Sequence, residues 1–186
     1  MTELLSLKRR ILFTGIVTLL SWAHVAWDYF HGGVPTHYLL HSANLPGFSN
    51  WWGVVIIPVL TWFLLVRINR KINAKSDKEG PQNTSYVVYR FLSALVFGIL
   101  VSFFFAIGSD LPEYMMMGVI VLSFFVPLYR TEHFLGFVLG MAYTFGTVLP
   151  IIFGTIFILL FLLTYKVLRA SVVYLMAKIT SGNSGS

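Results

Sequence analysis

The chain has 186 residues, of which 57% are hydrophobic and only 11% charged, and its mean hydropathy is +0.79. This composition excludes an ordinary soluble domain and predicts an all-α polytopic membrane protein, a helical bundle whose first partner is the lipid bilayer. The net charge of +6 would also suit a nucleic-acid-binding protein, but the basic residues flank apolar runs, as membrane insertion favours. We therefore exclude nucleic acid as a partner. The lack of cysteine excludes disulfides and thiolate metal sites.

Apolar runs of about 20 residues, the length that crosses a bilayer, mark the predicted spans in chain order. The first four are residues 11–29, 51–68, 86–107 and 113–129. The last run, 134–164, is too long for one ordinary span and short for two, and Pro150 is its natural break. A break there gives spans at 134–149 and 150–165 and leaves all 13 Lys and Arg residues on one side of the membrane. We predict six transmembrane helices with both termini cytoplasmic, and five as the alternative.

The hydrophilic stretches define the expected domain organisation. Residues 1–180 would form a single transmembrane helical domain, with a helical continuation at 167–179 and a flexible tail at 181–186. Residues 32–50 would be an extracytoplasmic loop that contains histidine, and residues 69–85 a cytoplasmic loop with several lysines. The plasma (inner) membrane is the expected location, with the site on the extracytoplasmic side.

A polar stripe lies at the outer end of the first predicted span. His24, Asp28 and His31 share one face of a helix, with Ser21 close by, because their spacings approximate whole helical turns. Counted from Arg10, His24 lies about 20 Å along the helix axis. An ionisable side chain at that depth must face protein or a water-filled cavity rather than lipid. The stripe therefore predicts a pocket that opens to the outside.

Imidazole and carboxylate groups on one face also predict a metal site. The expected cofactor is a divalent metal, Zn first and Fe, Mn, Ni or Cu as alternatives. The candidate ligands are His24, Asp28, His31, His37 and His41. The last two could share a helical face if Pro35 begins a short interfacial helix, and Gly32 and Gly33 would let that segment fold back over Asp28. A pocket without metal and a purely structural set of hydrogen bonds are the alternatives.

Two further acids fall on the outer side, at the turn between the third and fourth predicted spans. Asp110 precedes a Leu-Pro-Glu sequence and is typical of a helix cap. Glu113 is the better candidate for a site residue, as the general base beside a metal-bound water. With Asp28 these residues make three acids and no outer Lys or Arg, which favours a bound cation or metal. Asp28 and Glu113 are therefore the predicted catalytic residues.

Other features have simpler structural interpretations. Gly136 and Gly140 make a face of small residues that favours close helix packing. Tyr143, Thr144 and Thr147 could add hydroxyl groups to the pocket, with hydrogen bonds to the helix backbone as the alternative. An ion pair or a role at the start of a helix suffices for the Glu132-His133 sequence beside Arg130.

Three functions remain open. The first is a membrane-embedded, metal-dependent enzyme of hydrolase type that acts on a lipid or amphipathic substrate. The second is a protein that binds or transports a metal ion or protons, or senses them, through the same residues. Below His24 the first span offers only Thr18 and Thr14 as polar groups, which disfavours a proton relay. The third is a non-catalytic membrane assembly partner, and an oligomer is compatible with each.

Overall fold

Apolar runs of the sequence fold as helices in the computed structural model, which describes residues 5–39, 44–79, 85–169, 171 and 174. The helices are α1 Leu7–Phe30, α2 Gly53–Glu79, α3 Ser85–Ala106, α4 Leu111–Leu122, α5 Thr131–Phe145 and α6 Val148–Leu163. A 3-10 turn, Asn50–Trp52, precedes α2, and a π-helical turn, Thr164–Leu168, continues α6. Two strands, β1 Thr36–Tyr38 and β2 Gly47–Ser49, lie between α1 and α2.

Within the described residues, four helical segments are long and apolar enough to cross a membrane. They are Leu7–Phe30, Asn50–Ser76, Ser85–Ala106 and Val148–Leu168. Helices α4 and α5 are shorter, with 12 and 15 residues. The predicted fourth span, 113–129, is therefore helical only as far as Leu122, and a series of turns begins at Ser123. Pro127 accounts for part of this difference, because it lacks an N–H and disfavours a helical conformation at the residue before it.

Helices α3 and α5 run side by side at very short range, as the small residues of α5 predict. A methyl group at Gly140 would lie 2.5 Å from the Leu95 carbonyl oxygen, and one at Gly98 would lie 2.9 Å from the Phe137 carbonyl oxygen. The Ser102 hydroxyl donates to the Gly140 carbonyl across the same contact, at 3.3 Å. Only glycine allows the two backbones to approach this closely, so the predicted packing role is confirmed.

Helices α5 and α6 form an antiparallel pair. The Phe137 and Phe157 ring centroids lie 6.3 Å apart, and those of Tyr129 and Tyr165 lie 5.8 Å apart. Both pairs are symmetrical about residue 147, so the chain reverses there. The predicted break at Pro150 is too late, because the chain turns at residues 146–147, between α5 and α6, where Gly146 has a φ of 68°. Pro150 lies in the first turn of α6, where a missing N–H costs no helical hydrogen bond.

The segment after α1 is a β-hairpin and not the short interfacial helix that Pro35 suggested. β1 and β2 pair antiparallel, with Thr36 opposite Ser49 and His37 opposite Phe48. The Asn50 N–H extends the ladder by donating to the Pro35 carbonyl at 3.0 Å. Backbone hydrogen bonding between β1 and β2 outweighs the helical preference that Pro35 suggested for this segment. His37 therefore shares no helical face with His41, which lies outside the described residues.

The chain is helical well beyond the predicted second span. Helix α2 continues to Glu79, so residues 69–79 of the predicted cytoplasmic loop are helical. Ile68 and Ile72 are buried against Val87 of α3, and this contact explains the extension. The predicted continuation at 167–179 and the tail at 181–186 lie largely outside the described residues.

We call the end of the bundle with the strands the hairpin end, and the opposite end, with Arg90 and Arg130, the basic end.

Candidate functional site

The polar stripe of α1 meets a second polar residue at the hairpin end. The His24 Nε2 and Asp28 Oδ2 atoms lie 3.7 Å apart, and the side chains are 21% and 17% exposed. The Asn50 amide nitrogen donates to the same Asp28 oxygen at 3.4 Å. An imidazole, a carboxylate and an amide therefore form one continuous polar cluster. We call its first two members the His24–Asp28 pair.

Asn50 is the member of this cluster that the sequence did not reveal. It stands directly after β2, at the first residue of the 3-10 turn, and only 4% of its surface is exposed. Its side-chain oxygen has no hydrogen-bond partner among the described residues and lies against Gly146 of the turn between α5 and α6. An amide placed directly before the Trp51-Trp52 pair was the available signal, but its partner on α1 is 22 residues away in sequence.

Hydrogen bonds from α1 to the start of α2 hold the pair in place. The Ser21 hydroxyl donates to the Gly53 carbonyl at 3.1 Å, and the Trp22 indole N–H donates to the Val54 carbonyl at 3.0 Å. Val54 has a free carbonyl because Pro58, four residues on, has no N–H to donate. These bonds fix α1 against α2 one turn below His24, and so fix where His24 points.

A cavity of about 370 Å³ lies directly below the pair. Its polar wall is at one end and consists of Ser21, His24, Asn50, Tyr143 and Thr147. The remaining wall is apolar and includes Phe13, Ile16, Val17, Leu20, Phe91 and Leu95. From Phe13 to His24 the cavity follows α1 over about 16 Å. It therefore has the shape and polarity that suit an amphipathic molecule, with an apolar part along α1 and a polar head at His24.

Two residues of the α5 end complete the polar wall. The Tyr143 ring packs against the His24 ring, with centroids 4.5 Å apart and an interplanar angle of 36°. Thr147 is buried, and its hydroxyl oxygen would lie 2.7 Å from a methyl group at Gly53. Of the three residues predicted to add hydroxyl groups to a pocket, Tyr143 and Thr147 line this one and Thr144 does not.

The structure does not bring His31 to the His24–Asp28 pair. The His31 ring stacks on Trp27, with centroids 3.7 Å apart and an interplanar angle of 14°. Its Nδ1 atom lies 2.9 Å from the Trp27 carbonyl oxygen, in a hydrogen bond to its own helix. His31 also ends α1, so its backbone leaves the helical path that would have kept it in the stripe.

His37 lies nearer to the cluster, on the far side of Asn50. A methyl group at Gly146 would lie 2.8 Å from the His37 Cδ2 atom and closer still to the Asn50 side-chain oxygen. His41 is outside the part of the chain that the structure describes. Within that part, no three His, Asp or Glu side chains come close enough together to hold a metal ion. His24 and Asp28 are thus two candidate ligands that already stand side by side.

Glu113 and Asp110 lie elsewhere. Glu113 is exposed in the first turn of α4 and lines a separate apolar cavity, with Met141 and Phe145. Asp110 occupies the cap position of α4 without a capping hydrogen bond from its side chain, and the Ser109 hydroxyl accepts the Leu111 N–H instead, at 3.2 Å. The Glu113 cavity and the His24 cavity share no lining residue.

The helices and this cavity define a class of protein: an all-helical bundle of integral membrane type with a polar pocket at one end. Comparisons with known proteins found no matching protein family, no matching curated protein and no matching solved structure. The function is therefore argued from the site.

Proposed function

We propose that the protein crosses the plasma (inner) membrane six times, with both termini in the cytoplasm and the hairpin end outside. The antiparallel course of α5 and α6 supports two crossings within residues 134–165. The basic end carries Lys71, Arg90 and Arg130. The positive-inside bias therefore favours that end as the cytoplasmic one. The short α4 and α5 require local thinning of the bilayer or tilt of their neighbours.

We propose that the pocket at the hairpin end is the active site of a membrane-embedded hydrolase for a lipid or amphipathic substrate. The observation that carries this proposal is that His24, which is paired with Asp28, lines the polar end of an otherwise apolar cavity. An acyl chain would lie along Phe13, Val17 and Leu20, and the scissile group would meet the pair. The substrate would enter from the outer leaflet.

The pair can act by general acid and base catalysis. When the two side chains move from 3.7 Å to hydrogen-bond distance, Asp28 would accept a hydrogen bond from the protonated Nε2 of His24, which would leave Nδ1 to take a proton from a water molecule. That water attacks the scissile carbonyl or phosphoryl group. His24 then returns the proton to the leaving oxygen as its bond to carbon or phosphorus breaks. Asn50 holds the Asp28 carboxylate in position, and the 3.7 Å separation shortens when the substrate excludes water.

A divalent metal, Zn above all, is the proposed cofactor of the same site. His24 and Asp28 would supply an imidazole nitrogen and a carboxylate oxygen, and catalytic zinc sites use three protein ligands. His37 is the nearest further histidine of the described residues around Asn50, and its side chain would turn toward Asp28 to become the third. Bound metal would lower the pKa of its water and supply the nucleophile.

Elemental analysis tests the cofactor separately from the activity. Protein purified without chelators, and protein reloaded with Zn, should carry one metal ion per chain, and His24→Ala and Asp28→Ala should carry none. Equal metal content in wild type and variants would place the metal elsewhere. Metal-free wild-type protein would remove the metal from the proposal and leave the acid and base mechanism of the pair.

Hydrolysis is tested with fluorogenic carboxylic esters and phosphodiesters that carry one fatty chain, on protein in liposomes. His24→Gln and Asp28→Asn should each lower kcat about 100-fold or more, the usual contribution of a general acid or base. Asp110→Asn is the matched control, because it removes a carboxylate at the hairpin end that belongs to the cap of α4 and not to the cluster of His24, Asp28 and Asn50. Wild-type rates in both His24 and Asp28 variants would contradict the proposal.

A further inference from the structure

Three cations from three segments surround one buried carboxylate at the basic end. Arg90 of α3 approaches Glu132 of α5, with Nη1 and Oε1 3.9 Å apart. Lys71 of α2 donates to the Thr131 hydroxyl at 3.0 Å, one residue before Glu132. Arg130 is close enough to act electrostatically on both Lys71 and Arg90. Glu132 itself is only 5% exposed.

The charges of this cluster do not balance. Glu132 offers one negative charge, and Lys71, Arg90 and Arg130 offer three positive charges. Four buried atoms of this region have no hydrogen-bond partner in the described part of the chain: Arg90 Nη1, Arg130 Nε, His133 Nδ1 and Glu132 Oε2. Buried polar atoms are nearly always satisfied by protein, water or a ligand, so two unsatisfied guanidinium atoms in a cluster with excess positive charge favour an anionic partner.

An apolar cavity of about 180 Å³ begins beside this cluster. His133 is on its wall, and the rest of the wall is formed by side chains of α3, α4, α5 and α6, among them Phe97, Val119, Phe134 and Phe157. No carboxylate or cation of the described residues lines it. The cavity and the cluster therefore present an apolar channel and a cationic end side by side, as the chain and the head group of an anionic lipid require.

We propose that the basic end binds an anionic phospholipid, with its phosphate at Arg90 and Arg130 and an acyl chain in the cavity beside His133. Arginine binds phosphate through two parallel hydrogen bonds, and basic pockets between transmembrane helices bind anionic lipid head groups. The stacking of Arg90 over the Tyr86 ring, at 4.7 Å, fixes the plane of its guanidinium group. The lipid belongs to the cytoplasmic leaflet in the proposed topology, but binding in detergent does not depend on that topology.

His133 supports this site as a neutral donor. It lies just before the proposed fifth span, and burial, with Arg90 and Arg130 nearby, lowers its pKa to about 4. At neutral pH its ring is therefore uncharged and can donate one N–H to a phosphate oxygen. Glu132 orders the arginines by pairing with one of them, and the excess positive charge remains for the lipid.

The test uses the full chain in a mild detergent, with phosphatidylglycerol titrated against phosphatidylcholine and read by native mass spectrometry and by Tm. We expect phosphatidylglycerol to bind at least tenfold more tightly and to raise Tm. Arg130→Gln should remove most of this preference, and Arg70→Gln, which deletes an exposed cation of α2, should keep it. Equal binding of the two lipids, or equal loss in both variants, would overturn the site.

Further experiments distinguish binding of a lipid from binding of a free anion, and loss of stability from loss of the binding site. Inorganic phosphate and glycerophosphoglycerol should not raise Tm at concentrations where the lipid does, and if either does, the ligand is a soluble phosphate. Arg130→Lys keeps the charge but not the paired hydrogen bonds, so it should fold and still bind several-fold more weakly. Val119→Phe fills the cavity and should weaken lipid binding without changing the cation cluster. Unchanged binding in both would contradict the proposal.

Discussion

Trp22 donates its indole N–H to the Val54 carbonyl at 3.0 Å, and that carbonyl is the one acceptor in α2 that Pro58 deprives of its backbone donor. A side chain of α1 therefore replaces the missing hydrogen bond of α2. The bond from Trp22 fixes the register of α1 on α2, on which the approach of His24 and Asp28 to Asn50 depends.

Trp22→Phe should destabilise the protein by about 1 kcal/mol, the usual size of a hydrogen bond between transmembrane helices. Pro58→Ala restores an N–H at residue 58, which can then bond to Val54 within α2. In that background Trp22→Phe should cost less. The measurement is the free energy of unfolding of all four proteins in the same micelles, as a double-mutant cycle. Additive effects would show that Trp22 and Pro58 act independently.

Gly146→Ala should disturb both the turn and the polar cluster. The residue has a φ of 68°, and its new methyl group would meet Asn50 and His37. We expect a loss of more than 1 kcal/mol of stability, since left-handed backbone and a clash both oppose the side chain. Gly15→Ala is the matched control, because a methyl group there meets nothing within 4 Å in the middle of α1. It should be neutral or stabilising, and Tm of the two variants checks the contrast.

Gly140→Ala should push α3 and α5 apart. Its methyl group would lie 2.5 Å from the Leu95 carbonyl oxygen, a backbone atom that cannot turn aside. Overpacking of this kind costs about 1–3 kcal/mol. Gly118→Ala, on the open side of α4, serves as the control because nothing lies within 4 Å. Thermal unfolding in detergent measures both, and equal Tm values would show that α3 and α5 pack less closely than we describe.

His133 should make stability depend on pH between about 4 and 6.5. Burial is the main cause that lowers its pKa to about 4 in the folded protein, whereas the unfolded chain takes up the proton near 6.5. As pH falls through this window the unfolded state binds the proton first, so stability decreases, by at most about 3 kcal/mol at its lower edge. Above pH 6.5 this residue contributes no pH dependence.

The measurement for His133 is Tm as a function of pH for wild type and for His133→Gln, which cannot titrate. The difference between the two curves should narrow or reverse as pH falls from 6.5 to 4, because only the wild type loses stability through this group. Carboxylates titrate in both proteins and cancel in the comparison. Parallel curves across the window would show that His133 titrates normally.

From the sequence, only the site residues that lie on one helix could be placed next to each other. His24 and Asp28 were found because they are four residues apart on α1, and helical geometry alone then makes them neighbours. The same argument included His31, which the end of the helix and the stacking on Trp27 turn away. Glu113 was predicted from its side of the membrane alone, and it lines another cavity. A shared side of the membrane says nothing about position around the bundle.

Hydropathy and helical periodicity, which depend on neighbours in the sequence, determined the membrane class, the main helices and the polar face of α1. Contacts between distant residues decided everything else. Only the tertiary structure revealed Asn50 beside Asp28, because a hairpin and a turn bring residues 22 positions apart together. It also placed the reversal at Gly146 instead of Pro150, because the fold needs a positive φ there and proline is tolerated in the first turn of a helix.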